Sequence, residues 1–178
     1  SVVQHTFALA FYVLEKLNYY DNYVKSGEYA KCPIFTHFTE VFPEIYGKTW
    51  GIVGLGTIGR SVAKVADAFG CKVVTYSASG HKYDSEYEQL EWEEFLKKSD
   101  IISIHAPLNE YTNNLFNYDA FSKMKESAVL INVGRGPIIN DADLCRALNE
   151  GIIAGAGLDV IDEEPISADN PLCSVKDR

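Results

Sequence analysis

"GIVGLGTIGR", residues 51–60, sets Gly54, Gly56 and Gly59 between an apolar run and a stretch of helical periodicity. The reading of these residues decides the fold. Gly54 permits a tight turn, Gly56 lets the backbone approach a pyrophosphate, and Gly59 lets a helix pack close to a strand. The amides opening that helix, at Thr57, Ile58 and Gly59, would meet phosphate charge. A plain turn before a tightly packed helix would use the same glycines, so the flanking chain must arbitrate.

Outward from this stretch, two kinds of pattern alternate. "TWGIVG", "CKVVTY", "DIISIHA", "AVLINV" and "IAGAGLDV" read as five strands. "TIGRSVAKVADAFG", "LEWEEFLKKS", "NYDAFSKMK" and "NDADLCRALNEG" read as helices between them, the last capped near Asn140 or Asp141. Continuously apolar strands alternating with helices imply a mostly parallel sheet covered on both faces, a doubly wound α/β domain of Rossmann type. The glycines follow the first strand and open the following helix, which is the context a dinucleotide fingerprint requires.

Before this core, Phe7, Ala10, Phe11, Leu14 and Leu17 recur at three and four, predicting one long helix from Thr6 to about Tyr23. Residues 27–48 carry Pro33 and Pro43 with no steady period and read as an unusually apolar loop that wants a surface to lie on. With 178 residues the chain is expected to be one nucleotide-binding domain, a helix and loop over 1–48 and a core over 49–178.

The second strand should end in an acid that accepts hydrogen bonds from the adenosine ribose of NAD. Here it runs into Ser77, with His81 and Lys82 close behind. Serine does not repel a 2'-phosphate, so NADP is open beside NAD, which stays the first choice.

A net charge of -9 argues against a nucleic-acid or anionic membrane surface. Cys32, Cys71, Cys145 and Cys173 are scattered, signalling neither a metal site nor a disulfide framework, and a reduced cytoplasmic protein is the economical expectation. "FALAFYVL" is too short to span a bilayer. The chain opens without methionine inside a helical pattern and closes just after a loop, so both ends are read as cut.

The ordered series "SVVQHTFALAF", "YGKTWGIVGLGTIGRSVAKVADAFGCKVVTY", "SDIISIHAPLNEYTNNLFN" and "FSKMKESAVLINVGRGPIINDADLCRALNEGIIAGAGLDVIDEEP" resembles the coenzyme domain of the D-isomer-specific 2-hydroxyacid dehydrogenases. The resemblance implies that Arg135 binds a substrate carboxylate. A guanidinium fork just past a strand end, flanked by glycines, suits that role independently. It implies that Glu164 pairs with the catalytic histidine and raises its basicity. Asp159 would hold the nicotinamide carboxamide, and Asn132, Val133 and Gly134 would line the nicotinamide ribose. His105, Ala106 and Pro107 would pass along the cofactor, with Thr112 steadying their loop. His105 is read as a cofactor contact rather than a base, and His5, His37 and His81 have weaker claims.

The family's catalytic histidine sits in a "PH" segment that nothing here matches, and most of a substrate domain is absent, so the chain is not expected to turn over substrate alone. The whole protein would transfer hydride between nicotinamide and C2 of a small 2-keto or 2-hydroxy acid, as a homodimer formed through residues 1–48. Gln4 departs from the glutamate usual at its position. Two alternatives stand beside this: a formate or phosphite dehydrogenase relative, and an NAD-sensing corepressor resembling the C-terminal binding proteins.

Overall fold

The computed structural model describes residues 1–37 and 39–175; Phe38, in the apolar loop, and residues 176–178 lie outside the described residues. Strands β1 (Thr49–Val53), β2 (Lys72–Tyr76), β3 (Glu88–Gln89), β4 (Ile101–Ile104), β5 (Val129–Asn132) and β6 (Gly155–Leu158) form one sheet in the order 3-2-1-4-5-6. Every neighbouring pair is parallel. The order reverses between β1 and β4, and at such a switch point a crevice opens beyond the strand C-termini.

Helices α1 (Val2–Leu14), α2 (Leu17–Lys25), α3 (Thr57–Ala68), α4 (Trp92–Lys98), α5 (Tyr118–Lys123) and α6 (Asp141–Asn149) complete the layers. Side-chain period two splits the strands between two cores. Phe7, Ala10 and Leu14 of α1 and Val62 and Ala66 of α3 pack on Trp50, Ile52, Ile101 and Ile131. On the other face Phe95 of α4, Phe121 of α5 and Leu144 of α6 pack on Ile102, Ile104 and Leu130. Ser1, Asn117 and Asn140 cap α1, α5 and α6 by accepting from the amides of Gln4, Ala120 and Asp143, each cap stabilising its helix by about 1 kcal/mol.

Two features depart from the sequence reading. The helix expected from Thr6 to Tyr23 begins earlier, at Val2, and is broken at Lys16, whose φ of 51° is left-handed. The apolar seam that holds α1 to the sheet ends at Leu14, and α2 buries no residue, turning its tyrosines instead onto His37 and Phe42 of the loop. The second is the edge strand β3, which makes six strands where five were expected. It is two residues long and polar, carrying neither an apolar run nor an alternation to betray it. "IAGAGLDV" therefore contains the sixth strand. Among the described residues no helix is long and apolar enough to cross a membrane, and all four cysteines are free.

Candidate functional site

The three glycines do three different jobs. Gly54 turns the chain at φ 90°, and a Cβ there would lie 2.8 Å from the backbone of Ala106. At Gly59 a Cβ would stand 2.2 Å from the carbonyl oxygen of Gly54, so the start of α3 is pressed onto the turn. At Gly56 a Cβ would meet nothing within 4 Å. Gly56 is also the N-cap of α3, and no side chain caps the helix. The exposed amide-rich start at Gly56, Thr57 and Ile58 thus faces open space at the positive end of a helix dipole, which suits a pyrophosphate.

Beside it, Ser77 directly follows β2 and is buried, its hydroxyl 3.5 Å from that of Ser79. Gly80, at φ 73°, closes the turn, and the His81 ring leans on Tyr83. Arg60 reaches this loop through an Nη1 bond to the Asp84 carbonyl at 3.1 Å. The sequence reading passed over Arg60, although its place directly after the third glycine brings a cation to the loop that follows Ser77.

Past β4, the His105 amide donates to the Val53 carbonyl at 2.8 Å, binding the β4 exit to the glycine turn. The His105 ring is buried, which pushes its pKa down to about 4. Its Nε2 lies 3.0 Å from Ser103 Oγ, which also accepts from Trp50 Nε1 at 2.9 Å. A neutral, boxed-in imidazole is no proton shuttle near neutral pH. Buried Thr112 donates to the Pro107 carbonyl at 2.7 Å and accepts from the Asn109 amide at 2.9 Å, pinning the loop between them.

On the far side of the switch point, one residue organises the rest. Asn132 is fully buried; its Nδ2 donates to the Arg135 carbonyl and its Oδ1 accepts from the Gly134 amide, both at 3.0 Å. Its own carbonyl accepts from the Asp159 amide at 3.0 Å. Val133 is buried beneath the turn, and Arg135 extends from it exposed, with Nη1 on the Gly134 carbonyl at 2.8 Å. A Cβ on Gly136 would fall 1.7 Å from the Ile161 carbonyl oxygen, so the segments bearing Arg135 and Glu164 are in backbone contact. Glu164 is exposed and accepts from the Ile161 amide at 3.3 Å. Asp159 accepts from His5 Nε2 at 3.1 Å, a partner 154 positions away that no local pattern announces.

All these residues lie along the C-terminal edge of the sheet. Ser77 after β2 and the Arg135 turn after β5 stand three strand spacings apart, about 14 Å, as an elongated ligand laid across the switch point would require. A separate hollow lined by Leu14, Ile45, Lys48 and Asp100 is at the opposite edge and shares no residue with this set.

The family described as D-isomer specific 2-hydroxyacid dehydrogenase, NAD binding domain, matches residues 7–177. The hydroxypyruvate reductase of Blautia hydrogenotrophica is 36% identical over 178 residues, covering 99% of this chain and 55% of that protein. Among solved structures, an acyclic imino acid reductase in complex with NADPH and D-arginine is similar with a TM-score of 0.86 at 35% identity, over 99% of this chain and 54% of that one. D-lactate dehydrogenase from Aquifex aeolicus, complexed with NAD and lactic acid, gives 0.83 at 30% identity, over 96% of this chain and 54% of that one. The chain spans about half the length of the curated relatives it matches. With the nucleotide fold and residues 7–177 accounted for by one family, the chain belongs to the D-isomer-specific 2-hydroxyacid dehydrogenases, within their NAD-binding domain.

Proposed function

We propose that this chain is the coenzyme-binding part of a 2-keto acid reductase, a D-2-hydroxyacid dehydrogenase that binds NAD or NADP along the C-terminal edge of its sheet. The observation that carries the reading is the placement of the open, uncapped helix start at Gly56 and the Asn132-centred group on the two sides of one switch point. Gly54, Gly56, Thr57, Ile58 and Gly59 would hold the pyrophosphate, Ser77 the adenosine ribose, and His105, Ala106 and Pro107 the middle of the molecule. Val133, Gly134 and Asp159 would border the nicotinamide. The bound nicotinamide would supply or take a hydride at C2 of the acid.

The residues of this chain would position and polarise rather than react. Arg135 would grip the substrate carboxylate with its planar fork, fixing C2 relative to the ring. Glu164 would hold a histidine imidazole in the orientation and charge state needed to pass a proton to the carbonyl oxygen. His105 is unsuited to be that imidazole, because burial keeps it neutral. The proton donor is therefore proposed to come from the remainder of the protein.

Residues 1–48 would meet a second copy of the chain. Phe35 is 91% exposed, and Ile34, Val41, Phe42 and Tyr46 lie open with it, an apolar surface that a twofold partner would cover. The free cysteines support a cytoplasmic setting.

The test is reduction of hydroxypyruvate, glyoxylate and pyruvate by the intact protein with NADH and with NADPH. Turnover of one acid, abolished by Arg135→Ala while NADH binding persists, is the expected result. Saturable nucleotide binding without reduction of any of these acids would count against a reductase of this substrate class.

A further inference from the structure

We propose that His5 is a positioning residue for Asp159, fixing one carboxylate oxygen so that the other is presented to the amide of the nicotinamide carboxamide. This rests on the assignment of Asp159 above. The two residues come from opposite ends of the chain, and both backbones are held. Helix α1 closes onto β6 because Gly157 has no side chain: a Cβ there would come within 3.0 Å of Leu9 Cβ. Asp159, two residues on, is tied through its amide to the Asn132 carbonyl at 3.0 Å. Between these fixed points His5 Nε2 meets Asp159 Oδ1 at 3.1 Å. A carboxylate only accepts, so Nε2 carries the proton.

The contact is poorly explained by stability. The side chains are 46% and 51% exposed, and a pair so open to water adds little to the fold. What it does accomplish is loss of rotamer freedom in a short acid at an open strand end. Among the described residues Oδ2 has no partner, and an acceptor held there selects the NH2 group of a carboxamide over its carbonyl oxygen, choosing which ring face points outward.

The experiment measures Kd for NADH and for ADP-ribose, which lacks the nicotinamide, on the intact protein by titration calorimetry. Variants are His5→Leu, His5→Gln and Asp159→Asn, with far-UV circular dichroism to confirm folding. If His5→Leu does not fold, His5→Asn, too short to reach Asp159, replaces it. His5→Leu should weaken NADH about tenfold and leave ADP-ribose within about twofold, whereas His5→Gln, which keeps a donor at similar reach, should recover most of the loss. The double variant with Asp159→Asn should be no weaker than Asp159→Asn alone. Equal loss for both ligands, or no loss for NADH, overturns the proposal. If Asp159→Asn itself leaves the ratio of the two affinities unchanged, the assignment of Asp159 fails, and the role of His5 with it.

Discussion

The two sides of the switch point are built from different materials. At the turn out of β1 the proposed site is backbone: glycines without side chains and the uncapped amides at the start of α3. On the β5–β6 side the proposed site is side chains: Asn132 buried at the hub that holds the Arg135 turn and the Asp159 amide, with exposed Glu164 on the neighbouring segment. A diphosphate is common to every dinucleotide and can be met by peptide groups that need no particular residue beyond glycine. A carboxylate, a carboxamide and a proton donor each need a specific functional group, so under the proposed assignment the second side depends on residue identity where the first depends on open space.

That contrast can be broken by substitution. The largest effect is expected from Gly59→Val, which forces atoms onto the Gly54 carbonyl oxygen. It should cost about 3 kcal/mol or more in urea unfolding and abolish nucleotide binding. A variant as stable as the parent would show that the close packing of α3 is not needed.

Next comes His105. Burial lowers its pKa from 6.5 to about 4, so the unfolded chain takes up a proton before the folded one does. Its contribution is complete above pH 6.5 and is lost as pH falls toward 4, by up to about 3 kcal/mol. Unfolding free energies at pH 7.5 and 4.5 should fall more steeply in the parent than in His105→Asn. Equal slopes would mean that the imidazole is hydrated in solution.

Arg135→Lys should lower kcat/KM for the keto acid about a hundredfold while leaving NADH affinity unchanged, since a point charge does not replace a fork. Loss of NADH affinity instead would move Arg135 to the backbone-built side. Gly56→Ala separates the sides in the other direction. With open space around it and φ at -76°, alanine should leave stability within about 0.5 kcal/mol yet weaken NADH about tenfold by standing a methyl where the pyrophosphate would approach. The smallest effect is Lys82→Ala, which should weaken NADPH about threefold and NADH not at all if the ribose end accepts a 2'-phosphate. Identical small changes for both nucleotides would make Lys82 a bystander.

The same contrast explains what could be read from the sequence. Glycine spacing between an apolar run and a helical pattern announces the backbone side directly, and the alternation of elements from Thr49 onward gives the parallel sheet with only β3 missed. A two-residue polar edge strand leaves no periodic trace. The break at Lys16 was hidden because Phe7, Ala10 and Leu14 predict a seam without saying where the sheet beneath it ends. On the side-chain half, resemblance nominated Asp159 and Glu164, while Arg135 had a second support in its guanidinium fork between glycines just past a strand end. Asn132 brackets the Arg135 turn through bonds to groups only two and three residues on, which its residue type alone does not announce, and His5 meets Asp159 only after β6 is laid beside β5 and α1 over both.

Asn132 holds the Arg135 turn through its side chain and the Asp159 amide through its carbonyl. The group proposed to aim the ring and the group proposed to anchor the acid are therefore mounted on one bracket. Any shift of that edge of the sheet then carries both together, and their mutual alignment is kept.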